Sequence, residues 1–151
     1  MDNIFSDNIS LTITIVISLF GIVAVHRLAG SRAKKANFSD KAKAFESVIR
    51  SELSEVYPIP TNWPEHASIY LENKFASIQS AVAAFEVALP WYKRIGFRKA
   101  WKLYRVGDNP THKDTIQEYH QYMGFTINGE YTDPKKQLKI NVDRLLKYAK
   151  T

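Results

Sequence analysis

The chain contains no cysteine, which removes disulfides, thiolate catalysis and cysteine-based zinc sites from consideration. It has little glycine, six in 151 residues, and none of them forms a phosphate-cradling G-x-x-x-x-G-K-S/T or a dinucleotide G-x-G-x-x-G. There is no H-E-x-x-H pair for a catalytic zinc, and no G-x-S-x-G nucleophile elbow. Glu52 and Glu55 stand three apart, but they flank Leu53 on a helical pattern and read as solvated charges. His112 and His120 are eight apart, while Glu118 and His120 are two apart and so face different ways on a helix. No catalytic, metal-binding or cofactor-binding residue is assigned on these patterns, and no cofactor is expected.

Charge of one sign is missing from the start of the chain. Residues 1–26 hold Asp2 and Asp7 and no Lys or Arg, a charge of −2, whereas residues 27–151 carry +8. Between them, Ile9 to Leu28 reads ISLTITIVISLFGIVAVHRL, uncharged as far as Val25. Twenty residues at ~1.5 Å each span ~30 Å, the depth of a bilayer's hydrocarbon core. Arg27, Arg32, Lys34 and Lys35 follow it, and cations collect on the cytoplasmic side of a span. The expectation is therefore a single-pass protein: a short extracytoplasmic N-terminus at 1–8, a transmembrane helix at 9–28, a basic juxtamembrane linker at 29–38 and a cytoplasmic domain at 39–151. The juxtamembrane cations either contact anionic lipid or only fix the topology.

The rest of the chain is patterned for helices. Apolar residues at Ala42, Phe45, Val48, Ile49, Leu53 and Val56 predict a helix from Asp40 to Val56 with Ser39 as its N-cap. Pro58, Pro60 and Pro64 make the following YPIPTNWP an extended loop, with Trp63 at the edge of the core. Leu71, Phe75, Ile78, Val82, Phe85 and Leu89 recur at alternating spacings of four and three. That stripe either packs within the chain or forms a homodimer seam.

Pro90 breaks that helix, and WYKRIGFRKAWKLYRV follows. Read as a helix ending at Gly107, it sets Arg94, Arg98, Lys102 and Arg105 along one stripe flanked by Trp91, Ile95 and Trp101. Basic helices of this kind bind lipid head groups or acidic protein partners. Interleaved aromatics also suit single-stranded nucleic acid. An ordinary amphipathic helix with a solvated basic face is the third reading. Residues 111–123 suggest a further short helix, and Asn128-Gly129 within FTINGEY signals a small hairpin. Asp133-Pro134 then opens a last helix running to about Ala149.

Several segments together carry a resemblance: the apolar N-terminal stretch, the run Ser51-Glu52-Leu53 to Tyr57-Pro58, Pro60-Thr61-Asn62-Trp63-Pro64, Ala100-Trp101 with Tyr104-Arg105, Tyr119-His120-Gln121-Tyr122-Met123 and Asn141-Val142-Asp143-Arg144-Leu145-Leu146. The chain resembles a set of uncharacterised short bacterial single-pass membrane proteins, which implies a bacterial inner-membrane setting and assigns no functional residue. The fold expected is all-α, one transmembrane helix plus a small bundle with a short hairpin near 125–131. The function expected is a membrane-anchored binding or scaffold protein, with a membrane-tethered nucleic-acid binder or an enzyme without a recognisable motif as alternatives.

Overall fold

The computed structural model describes residues 32–107, 118–124, 126–127 and 130–150. The chain divides into two units, Met1–Asn37 and Phe38–Thr151. In the first, residues 32–37 are helical and all exposed. The second carries the fold and the sites below.

Helix α1 spans residues 32–52, so the stretch expected as a linker is helical from Arg32 onward. Ala33, Lys34, Lys35 and Ala36 are strong helix formers, and propensity alone suffices where no apolar stripe is present. Within the second unit α1 buries Ala42, Phe45 and Ile49, and the turn after it buries Leu53, Val56 and Tyr57. The proline-rich loop is tied down at both ends: Tyr57 Oη donates to Asp143 Oδ1 at 2.6 Å, and Tyr70 Oη donates to Glu52 O at 3.1 Å. Trp63 packs part-buried against the core, as its place in the loop suggests.

Helix α2 runs Ala67–Ala88 and α3 Trp91–Val106, with Pro90 at the N-cap between them. Leu71, Ile78, Val82, Phe85 and Leu89 are buried, and Phe75 packs part-buried against them. That stripe is occupied by intramolecular packing. The Phe45 and Phe85 rings stack at 4.7 Å, and Phe97 of α3 meets both edge-on at 5.7 and 5.5 Å. Aromatic pairs in this geometry add to what burial alone contributes.

The expected helix at 111–123 falls largely outside the described residues. Its described end is a turn and a single 3-10 turn, His120–Tyr122. Two short strands follow, β1 Thr126–Ile127 and β2 Glu130–Tyr131, paired antiparallel with Thr126 opposite Tyr131. Helix α4 covers Pro134–Leu146, and a second 3-10 turn covers Lys147–Ala149. Asp133 caps α4 as its sequence position demands, its Oδ1 accepting from Lys135 N at 3.0 Å. Leu138, Val142, Leu145 and Leu146 form the buried face of α4.

The expectation of a single-pass membrane protein is corrected. Among the described residues no helix is long and apolar enough to cross a membrane. The physical reason is plain in the helices themselves. The 22-residue α2 carries Glu72, Lys74 and Glu86, and α3 carries six cations. Burying any of these in hydrocarbon is costly. The segment 9–28 on which the expectation rested lies outside the described residues, as does Arg27. The transmembrane helix of the expected fold, the single-pass topology and the inner-membrane location are not carried further. The all-helical bundle with its small hairpin remains.

Candidate functional site

Helix α3 holds Lys93, Arg94, Arg98, Lys99, Lys102 and Arg105 and no acid. The sequence assigns four of these to a binding stripe, and the structure sorts them differently. Arg94 folds back onto the end of α2, its Nε donating to Leu89 O and its Nη2 to Val87 O, each at 2.9 Å. The last carbonyls of a helix have no partner inside it, and here an arginine of the next helix supplies one. Arg98 pairs with Glu86, Nη2 to Oε1 at 2.6 Å, again joining α3 to α2. Arg105 pairs with Glu118 and lies over the rings of Phe75 at 5.0 Å and Trp101 at 5.7 Å. Lys102 is exposed, with no ion-pair partner among the described residues. Three of the four therefore hold the chain together.

The two tryptophans also part company. Trp101 is part-buried, stacked on Tyr104 at 5.4 Å and on Phe75 at 6.3 Å. Its ring is engaged by the protein, which weakens a base-stacking role. Trp91 stands out in solvent, its ring edge-on to that of Tyr92 at 6.0 Å. Around it lies a feature that periodicity does not reveal. Val87 is 75 % exposed, Trp91 78 %, Tyr92 63 % and Ile95 73 %. All four belong to the corner where α2 passes into α3, and Trp91 and Ile95 are four apart on one helical face. Single exposed hydrophobics are ordinary, whereas a cluster of large ones marks a contact surface.

The corner is held in a fixed shape. Pro90 sets the turn, Lys93 N donates to Pro90 O at 2.9 Å, and Leu89 N donates to Glu86 O at 3.2 Å. Arg94 and Arg98 reach back to the end of α2 and fix the angle between the helices. The N-terminus of α3 has no side-chain cap and no acid in its first turn. The positive end of its dipole lies beside Trp91 and Tyr92, with Lys93 N turned back to Pro90 O.

The far end of α3 is closed. Tyr119 N donates to Arg105 O at 2.6 Å, Gln121 Nε2 to Leu103 O at 2.8 Å and to Tyr104 O at 2.9 Å, and Tyr122 Oη to Tyr104 O at 2.8 Å. Gly107 ends the helix at φ 73°, the left-handed region glycine favours, and a Cβ there would strike Gln121 Oε1. Tyr104, Tyr119 and Tyr122 form a buried aromatic cluster behind this cap. Tyr119 is in the left-handed region at φ 61°, and among the described residues the hydroxyls of Tyr104 and Tyr119 have no hydrogen-bond partner. His120 sits half-buried between Tyr119 and the rest of the turn, while His112 lies outside the described residues. Among the described residues no group of three or more His, Asp and Glu side chains comes together.

Arg32, Lys34 and Lys35 are exposed on the first turn of α1. No family model, curated protein or solved structure matches the chain.

Proposed function

We propose that this chain is a binding protein whose α2–α3 corner docks an acidic, apolar-bearing segment of a protein partner. The observation that carries this is the exposure of Val87, Trp91, Tyr92 and Ile95 at the head of a helix with six cations and no acid. Trp, Tyr and Arg are the residues on which interface energy concentrates. Lys93 and Lys102 lie along the same helix and would attract carboxylates toward the patch. The uncapped N-terminus of α3 would accept one of them. A protein occupant is favoured over a lipid surface because Arg94 and Arg98 are fixed by their contacts to α2. Their donors are taken up by Leu89 O, Val87 O and Glu86, so they fix the shape of the corner, and a fixed shape suits a protein segment, whereas a lipid surface asks only for mobile charge.

The test places a photo-cross-linking amino acid at Tyr92 in the full chain and, as control, at the remote exposed position Ile59. The adducts are sequenced by mass spectrometry. Support is a cross-link specific to Tyr92, to a protein segment rich in Asp and Glu, that disappears when Lys93 and Lys102 are changed together to Glu. Lipid or nucleic-acid adducts at Tyr92, or equal labelling from Tyr92 and Ile59, overturn the proposal.

A further inference from the structure

Away from the corner, α3 and α4 flank a half-open cavity of about 520 Å³. Its charged walls are Lys99 of α3, Arg144 of α4 and Lys147 of the closing 3-10 turn, and among the described residues no carboxylate lines it. The uncharged polar groups are Gln137, Asn141 and Tyr148, and Leu103 supplies an apolar wall. Among the described residues the ion pairs join Arg50 to Glu46, Lys74 to Glu52, Arg98 to Glu86, Arg105 to Glu118 and Lys139 to Asp143. The three cavity cations take part in none of them. Like charges gathered around one concavity repel one another, and an anion between them relieves that repulsion.

The arrangement is built from the core outward. Asn141 is 1 % exposed, and every arm of its amide is engaged. Its Nδ2 donates to Tyr122 Oη at 3.0 Å and to Leu103 O at 3.4 Å, and its Oδ1 accepts from Arg144 Nη1 at 3.1 Å. A buried amide thus orients the guanidinium, leaving its other donors for a ligand. Guanidinium is the side-chain group best matched to the oxygens of a phosphate. On the opposite wall Gly96 leaves room for Tyr148, whose Oη would lie 2.5 Å from a Cβ added there. Lys147 sits over the Tyr148 ring at 5.2 Å.

We infer that the α3–α4 cavity is a binding site for a small phosphorylated molecule, its phosphate held by Arg144, Lys99 and Lys147. Gln137 and Leu103 would face the organic part. The volume lies in the range of small-molecule pockets, roughly 300–1,000 Å³, which leaves space beyond a bare phosphate. The site stands apart from the docking corner: Arg144 and Lys147 are not on α3, and neither Trp91 nor Ile95 lines the cavity.

Calorimetric titration of the full chain with inorganic phosphate, pyrophosphate and ribose 5-phosphate tests the inference. Ribose 5-phosphate is expected to bind more tightly than inorganic phosphate. Arg144→Gln and Lys147→Glu are each expected to weaken it about tenfold or more, the loss of one charge-assisted contact. Lys147 is exposed and its replacement leaves the core intact, so its loss of binding reads the site and not the fold. Lys102→Gln, outside the cavity, is expected to change nothing. Failure of all three probes to bind at about 10 mM, where even weak sites fill, overturns the site. So does an equal loss in Lys102→Gln and Lys147→Glu, which would signal diffuse attraction to a basic chain.

Discussion

Tyr104, Tyr119 and Tyr122 share one aromatic cluster, yet their hydroxyls differ. Tyr122 Oη both donates to Tyr104 O and accepts from Asn141 Nδ2, whereas the Tyr104 hydroxyl is buried without a partner among the described residues. An unmet buried hydroxyl costs stability, and a met one contributes about 1 kcal/mol. Tyr104→Phe is therefore expected to leave stability unchanged or raise it by up to ~1 kcal/mol. Tyr122→Phe, which orphans the Asn141 donor, is expected to lower it by about 1–2 kcal/mol. Urea unfolding of the two variants checks the opposite signs.

The same residues set an alkaline limit. Burial pushes the Tyr57 phenol up to about 12, and the hydrogen bond to Asp143 adds to that. Burial pushes Tyr119 up to about 12 as well, and raises Tyr104 and Tyr122 further from their usual 10. In each the protonated form is the one the fold favours. The unfolded chain releases these protons first, near pH 10, so stability is whole below that pH and falls as it rises toward about 12. Thermal melts across pH 9 to 12 should show the loss. An unchanged melting temperature over that range would contradict the burial of these phenols. At the acid end, burial pushes the Asp143 carboxyl up, but the hydrogen bonds from Lys139 and Tyr57 outweigh it and hold the group below its ordinary value.

At the scale of the element, α3 was the segment most readable and most misread. Pro90 and Gly107 mark its two ends in the sequence as in the structure. Its basic stripe is also visible in the spacing, but what each cation touches is a matter of tertiary geometry. Arg94 meets α2 only because the chain doubles back at Pro90, and Arg105 meets Phe75 only because α2 lies alongside. Arg94→Ala is expected to cost about 1 kcal/mol or more by stranding the carbonyls of Val87 and Leu89, measured by denaturant unfolding. Lys102→Ala, with no such contact, is expected to cost nothing. The opening turns of α1 were hidden for another reason. Residues 32–37 are exposed at every position, so no apolar periodicity announces the helix there. The exposed Tyr92 and Val87 escaped notice because burial, not periodicity, sets them apart.

At the scale of the whole molecule, the second unit has a complete core from α1 through α4. A fragment of residues 32–151 is expected to retain a single cooperative thermal transition followed by circular dichroism. A broad, non-cooperative melt would show that the core needs residues before α1. Much of this core was legible, since the stripes of α1, α2 and α4 follow helical spacing. The cationic cavity between α3 and α4 was not. Lys99, Arg144 and Lys147 belong to separate stretches of sequence, and only the packing of two helices makes them neighbours.

The unequal surroundings of the tryptophans have an optical consequence. Of the three in the chain, Trp91 lies in water, while Trp101, stacked on Tyr104 and Phe75, and Trp63 pack against the core, so the emission spectrum divides by place. Trp91 contributes the red, readily quenched component and Trp101 with Trp63 a shielded one. A partner arriving at the corner would shift the first without touching the second, while loosening of the core would do the reverse. The protein thus carries, unlabelled, separate lamps for docking and for unfolding.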